Sequence, residues 1–222
     1  MSRISVAIDG PAGAGKSTVA RQVAKRLGIT YVDTGAMYRA IAWKALQNKI
    51  DPENEEAITQ LAESVQIDLH PDGIRVDGRL LKDELRTSEV SQLASNIAKM
   101  PGVRRILVNI QQRIAEGRSV VMDGRDIGSH VLPHADVKVF LTASIEERAM
   151  RRYREMKAKG IDVDFEQLKA ELAKRDENDR TREIAPLKKA EDAVLVDTTG
   201  CQVPEVVEKI LQLCRNKLND EE

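Results

Sequence analysis

One octapeptide near the start of the chain, GPAGAGKS at Gly10 to Ser17, restricts the possible folds more than any other stretch. It matches GxxxxGK[ST] in full and lies between an apolar β-rich run, ISVAID, and a helical pattern, TVARQVAKRLG. In that setting the glycines let successive backbone N–H groups converge on phosphate oxygens, and the helix N-terminus adds partial positive charge. The spacing puts Lys16 within reach of β- and γ-phosphates and Ser17 at a Mg²⁺ ion. Gly10, Pro11, Ala12, Gly13, Ala14, Gly15, Lys16, Ser17 and Thr18 are therefore candidates for binding a nucleoside triphosphate. A glycine-rich turn alone would not explain a strand before the motif and a helix after it.

Four more apolar runs share the character of ISVAID: ITYVD, SVVMD, VKVFLTA and AVLVDTT. Helical stretches separate them, which predicts an α/β fold with a five-stranded parallel sheet flanked by helices, of the phosphate-loop NTPase type. Functional groups then gather at the carboxyl ends of the strands. Two segments interrupt the alternation. After a helix through Met37–Gln47, DPENEEAITQLAESV reads as helical, with Asp51 as N-cap and Pro52 at the first helical position. The run VQIDLHPDGIRVDGRLL then predicts a small antiparallel hairpin sheet, turning at Pro71-Asp72-Gly73 and Asp77-Gly78. The second interruption, Ser144 to Arg182, predicts two highly charged helices joined near Lys159-Gly160, the first opening with Ser144 and Glu147 at capping-box spacing. Both segments read as insertions in a single domain spanning 1–222.

The 222 residues carry a net charge of −1 with only 3% aromatics, which argues against a protein that wraps nucleic acid. Cys201 and Cys214 lie outside any CxxC motif, and His70, His130 and His134 show no zinc-ligand spacing. No run approaches a membrane span, so a reduced, cytoplasmic protein is expected. NKID (Asn48 to Asp51) and DTTG (Asp197 to Gly200) mimic guanine-nucleotide switch motifs. Their order is reversed, however, and NKID ends a helix rather than following a strand. A small-molecule or nucleotide kinase remains.

Such a kinase needs a second phosphate-binding surface, and three stretches can supply it. In DTGAMYR, Thr34 and Gly35 open a helix, with Tyr38 and Arg39 in its first turns. In DGRDIG, Asp123, Arg125 and Asp126 crowd a strand exit between glycines. In SIEERAMRRYREMKAKG, Arg148, Arg151 and Arg152 share one helix face, as a lid closing over a transferring phosphoryl group would require.

RDENDRTR, Arg175 to Arg182, is divided by helical phase. A helix starting at Asp164, with Gln167 completing a capping box, carries an apolar stripe through Leu168 and Leu172. Arg175, Asp179 and Arg182 continue that stripe to within roughly 40°, while Asp176, Glu177 and Arg180 are expected to face solvent. An ion-pair cluster with Asp179 between the two arginines is the structural alternative to ligand binding.

Assembled in order, IDGPAGAGKST, DTGAMYR, LRTSEV, DGRDIG, RRYREMKAKG and KRDENDRTREIAPL resemble the bacterial cytidylate kinases over essentially the full chain. The resemblance implies ATP and Mg²⁺ as cofactors, phosphorylation of CMP and dCMP, a nucleoside monophosphate-binding insert at about 36–100 and a lid at about 148–175. It implies that Arg39 and Arg125 grip the acceptor's α-phosphate with Arg182 nearby, while Ser95, Arg104 and Asp126 read cytosine. Arg175 and Asp179 would meet the pentose, and Arg148, Arg151 and Arg152 the phosphates, with Lys16. Some members carry serine at Thr34 or glycine at Ser17, so metal ligation by Ser17 does not follow from the resemblance. A monomer suffices, with ATP and CMP or dCMP as partners and no nucleic acid or membrane. UMP or AMP as acceptor, or a non-enzymatic ATP-binding regulatory module, are the competing readings.

Overall fold

The computed structural model describes residues 3–219. Its contacts divide the chain into two compact units: Met1–Tyr31 with Gly117–Glu222, and Val32–Glu116.

The first unit is built on β1 (Ser5–Asp9), β6 (Val120–Gly124), β7 (Val137–Thr142) and β8 (Val194–Asp197). With β2 (Thr30–Asp33), in which the first unit gives way to the second, they form a five-stranded sheet in the order β2-β6-β1-β7-β8. The β1–β6, β1–β7 and β7–β8 ladders are parallel. The five apolar runs supply the five strands, as expected of strands covered on both faces. On one face, α1 (Lys16–Leu27) and α8 (Val203–Asn219) bring Val19, Val23, Val207 and Ile210 onto Val6, Ile8, Val139 and Leu141 in one core cluster. Each such side chain, fully buried, contributes about 1.5–3 kcal/mol relative to exposure. The charged segment after β7 forms α6 (Ile145–Ala158) and α7 (Phe165–Thr181). Ser144 caps α6 through the Glu147 N–H, and Asp164 caps α7 through the Gln167 N–H at 2.8 Å, the capping positions expected from sequence.

The second unit holds α2 (Thr34–Gln47), α3 (Glu55–Ser64), α4 (Ser88–Ile97) and α5 (Pro101–Ala115). Between α3 and α4, β3 (Ile67–His70), β4 (Gly73–Val76) and β5 (Arg79–Leu81) pair antiparallel, as the hairpin signals predicted. The sheet is tied to α2 by Arg79 stacked on Trp43, 5.3 Å from the ring centre, and by the Lys44–Asp77 ion pair at 2.9 Å. The start of α3 corrects the sequence expectation: Asn54, not Asp51, is the N-cap, accepting from the Ala57 N–H at 3.0 Å. Asp51 and Pro52 instead begin a turn closed by the Asn54 N–H on the Asp51 carbonyl, which proline favours at its second position. NKID does end a helix, since α2 stops at Gln47.

Candidate active site

The phosphate loop begins where β1 ends. At Gly10, φ is +147°, and a Cβ there would sit 2.0 Å from the Leu141 carbonyl oxygen of the neighbouring strand. Only glycine lets the chain leave the sheet at this point. Gly15, also left-handed, then precedes α1 without any side-chain cap, and the first turn of α1 contains no carboxylate. Its N–H donors and the positive end of the helix dipole are thus left for an anion. Lys16 is buried and folds back over the loop, donating from Nζ to the Pro11 carbonyl at 2.8 Å. Burial, with the Arg125 charge, pushes its ammonium down to about 7 against the opposing pull of Asp123, Asp179 and Asp9. Ser17 is half-buried in the first turn of α1 and Thr18 beside it is exposed.

Ser17 donates its hydroxyl to the Asp123 carboxylate at 2.8 Å, and Tyr31 donates to the other Asp123 oxygen at 2.7 Å. The sequence suggested Asp123 for substrate binding and missed this pairing with Ser17. Its signal was present, because SVVMD brings its aspartate to the carboxyl end of the strand beside β1. A hydroxyl and a carboxylate held together beside an anion site are the hard oxygen donors that Mg²⁺ prefers, so these two residues fit that ion.

The DGRDIG exit is anchored from below. Asp9, the last residue of β1, accepts from the N–H groups of Ile127 and Gly128, each at 2.8 Å. Burial still raises its carboxyl to about 6. Arg125 then donates from Nε to Asp179 at 2.6 Å and from Nη1 to the Gly124 carbonyl at 3.2 Å. Burial works against the Asp179 carboxylate, but Arg125, with Arg182 and Arg175 beyond, holds it below the usual range. Arg182 bonds Asp126 at 3.1 Å and the carbonyl of Ala185 at 2.7 Å, where Ala185 adopts a left-handed φ of 47°. Asp126, Asp179 and Arg182 are all buried, while Arg175 is half-buried. The structure therefore brings Arg125, Asp126, Asp179 and Arg182 into two linked ion pairs next to the strand ends.

Asp176 corrects the sequence reading. Expected to face solvent, it is 4% exposed, accepting from the Ala12 N–H at 3.3 Å and from Arg148 at 2.6 Å. Asp176 stands about 40° round the helix from Leu172, closer than Arg175, so phase alone did not exclude it from the buried face. Glu177 and Arg180 are exposed as expected. Of the three candidate arginines on α6, Arg148 is the buried one, Arg151 bonds Glu147 and both oxygens of Thr198, and Arg152 bonds Glu155.

In the second unit, Asp33 caps α2 through the Ala36 N–H and holds Arg39 at 3.1 Å. Thr34 is buried at the start of α2. The Arg104 guanidinium lies 5.9 Å from the Tyr38 ring centre and donates to the Ala98 carbonyl at 3.2 Å. Ser95 Oγ and Arg39 Nε are shielded from solvent without a hydrogen-bond partner among the described residues. An orphaned buried hydroxyl costs about 1–3 kcal/mol, a cost relieved when a ligand supplies the missing bond.

A family model described as "Cytidylate kinase" matches residues 6–216. A protein named cytidylate kinase from Alkaliphilus oremlandii is 51% identical over 215 residues, 97% of this chain and 99% of the relative. One of the same name from Bacillus velezensis is 51% identical over 219 residues, covering 97% and 98%. Among solved structures, an uncharacterized protein from Eubacterium ventriosum shares the fold with a TM-score of 0.52 at 14% identity, over 95% of this chain and 97% of that one.

Proposed function

The chain belongs to the cytidylate kinase family and phosphorylates CMP; we propose that it takes the phosphoryl group from ATP, accepts dCMP as well, and transfers it in line without a phosphoenzyme. The observation that carries this reading is the uncapped N-terminus of α1, with the Lys16 ammonium over the loop and the Ser17–Asp123 pair beside it. That arrangement offers backbone N–H donors, one cation and two hard oxygen donors for a metal to a triphosphate, as phosphoryl transfer requires. Ser17 and Asp123 would hold Mg²⁺, which when bound shields charge on the phosphate oxygens.

An anionic phosphate oxygen of the acceptor needs no strong base to attack. Catalysis then rests on alignment and on charges already in place. In the phosphate-loop unit we assign the acceptor's α-phosphate to Arg125 with Arg182, and the pentose to Arg175 and Asp179. Asp126 is assigned to the exocyclic amino group of cytosine. That amino group donates, whereas uracil presents a carbonyl oxygen at the same position, so a buried carboxylate favours cytosine. In the second unit, Arg39 with Thr34 and Tyr38 is assigned to phosphate recognition, and Ser95 and Arg104 to the base. This unit contains the segment 36–100 proposed as the acceptor-binding insert, and the stretch at about 148–175, within α6 and α7, is proposed as the lid, with Arg151 and Arg152 toward the phosphates. No helix among the described residues is long and apolar enough to cross a membrane. A monomer in the cytoplasm, with nucleotides as its only required partners, satisfies the reading.

The test is a coupled assay of ADP release with CMP, dCMP, UMP and AMP at equal concentration. CMP and dCMP should be turned over well and UMP less. Equal or better turnover of AMP would overturn the acceptor assignment, and acceptor-independent ADP release would favour a regulatory ATP-binding module.

A further inference from the structure

The phosphate loop is gripped by two charges whose partners lie far along the chain. Ala12, buried within the loop, is held on both sides. Its N–H donates to Asp176 Oδ1 at 3.3 Å, and its carbonyl accepts from Arg148 Nη1 at 2.9 Å. The same Nη1 lies 2.6 Å from Asp176 Oδ2, and Arg148 Nε donates to the Ala143 carbonyl at 3.0 Å. Arg148 and Asp176 are 5% and 4% exposed. Apolar contacts seal the clasp, since Ala12 packs in one cluster with Ala149 and Leu172. At Gly13 a Cβ would stand 3.1 Å from the Arg148 Cβ, so the loop lies flush against α6.

A buried ion pair is a poor means of stabilising a fold, because removing both charges from water offsets most of their attraction. What this pair does supply is direction: it fixes both sides of one residue in a glycine-rich loop that would otherwise sample many shapes. A loop already held in its bound shape loses less entropy when a triphosphate binds. Nη1 and Nε of Arg148 are engaged by these contacts, unlike the phosphate-facing role that the helix face suggested from sequence.

We propose that Asp176 and Arg148 are positioning residues that hold the phosphate loop in its nucleotide-binding shape, and that through them the root of the α6–α7 hairpin is fixed to that shape. The inference rests on the reading that ATP occupies the loop. The pair acts through Ala12 and does not touch the nucleotide.

The experiment measures the ATP Kd without acceptor, the KM for ATP and for CMP, and the Tm, in Asp176→Asn and in the double variant Arg148→Met with Asp176→Leu. Asp176→Asn should weaken ATP binding about ten-fold, in Kd and KM alike, and leave the KM for CMP within about two-fold. The double variant removes both buried charges together, so its Tm should lie above that of Asp176→Asn, which leaves Arg148 buried without its counter-charge. Its ATP affinity should stay about ten-fold weak. A double variant with parental ATP affinity would overturn the proposal, as would an Asp176→Asn protein whose KM for CMP rises as much as that for ATP. If Asp176→Asn does not fold, the ATP Kd of the double variant decides alone. Failure of the underlying reading is recognised separately, by a Lys16→Ala protein that binds ATP as tightly as the parent.

Discussion

The two units treat their polar groups differently. Around the phosphate loop the side chains are partnered: Lys16 on Pro11, Ser17 and Tyr31 on Asp123, Arg148 and Asp176 on Ala12, Arg125 on Asp179. In the second unit, Ser95 Oγ and Arg39 Nε are shielded from water with no partner among the described residues. The first pattern suits a site whose electrostatics are preorganised for the reaction. The second suits a surface whose hydrogen bonds are completed by the ligand, and such a surface rejects a ligand that cannot complete them.

The hardest test of this contrast is Lys16→Ala. It removes the cation proposed to meet the transferring group, and kcat in the coupled assay should fall by about 10²-fold or more. A loss under five-fold would mean that the preorganised charge contributes little. Proton linkage comes next in size. In the free enzyme the Lys16 ammonium titrates at about 7 rather than at the ordinary 10.5, whereas a bound triphosphate favours the charged form. Binding therefore takes up protons, and ATP affinity is lost as pH rises above about 7, by at most ten-fold per unit. Calorimetric titration at pH 8 in two buffers of different ionisation enthalpy gives the sign, and net proton release would contradict the site as described.

Ser95→Ala separates the two regions most directly. It breaks no hydrogen bond among the described residues, so the Tm should move by less than about 2 °C while the KM for CMP rises about three- to ten-fold. A large fall in Tm would show that the hydroxyl serves the fold and not the ligand. The smallest effect belongs to Arg180→Ala: the side chain is exposed, and both stability and kinetics should stay within about 0.5 kcal/mol of the parent. A loss matching that of Arg175→Ala would break the division of α7 into ligand-facing and solvent-facing sides.

Patterns confined to a few consecutive residues were legible in the chain. The five strands, the caps at Ser144 and Asp164 and the antiparallel hairpins all follow from period, turn chemistry and local hydrogen bonds. Even locally a nearby residue can take the role, as when Asn54 and not Asp51 capped α3 because Pro52 drew Asp51 into a turn. Asp176 was misread for a different reason. Its amphipathic phase was ambiguous by less than the width of a buried stripe, and its partners Ala12 and Arg148 lie 164 and 28 residues away.

By itself the sequence determined the chemistry on offer: a phosphate loop at the exit of a strand, arginines enough for two phosphates, and an α/β sheet to align them. Those properties depend on residue type and short-range spacing, which one chain displays in full. Only the tertiary structure decided which charges neutralise each other and which are left for a ligand. Arg148 and Arg151 are three residues apart and alike in sequence, yet one is buried against Asp176 and the other bridges Glu147 and Thr198. The strength and partner of a charge depend on burial and on distances of a few ångströms between segments remote in the chain, and folding alone sets both.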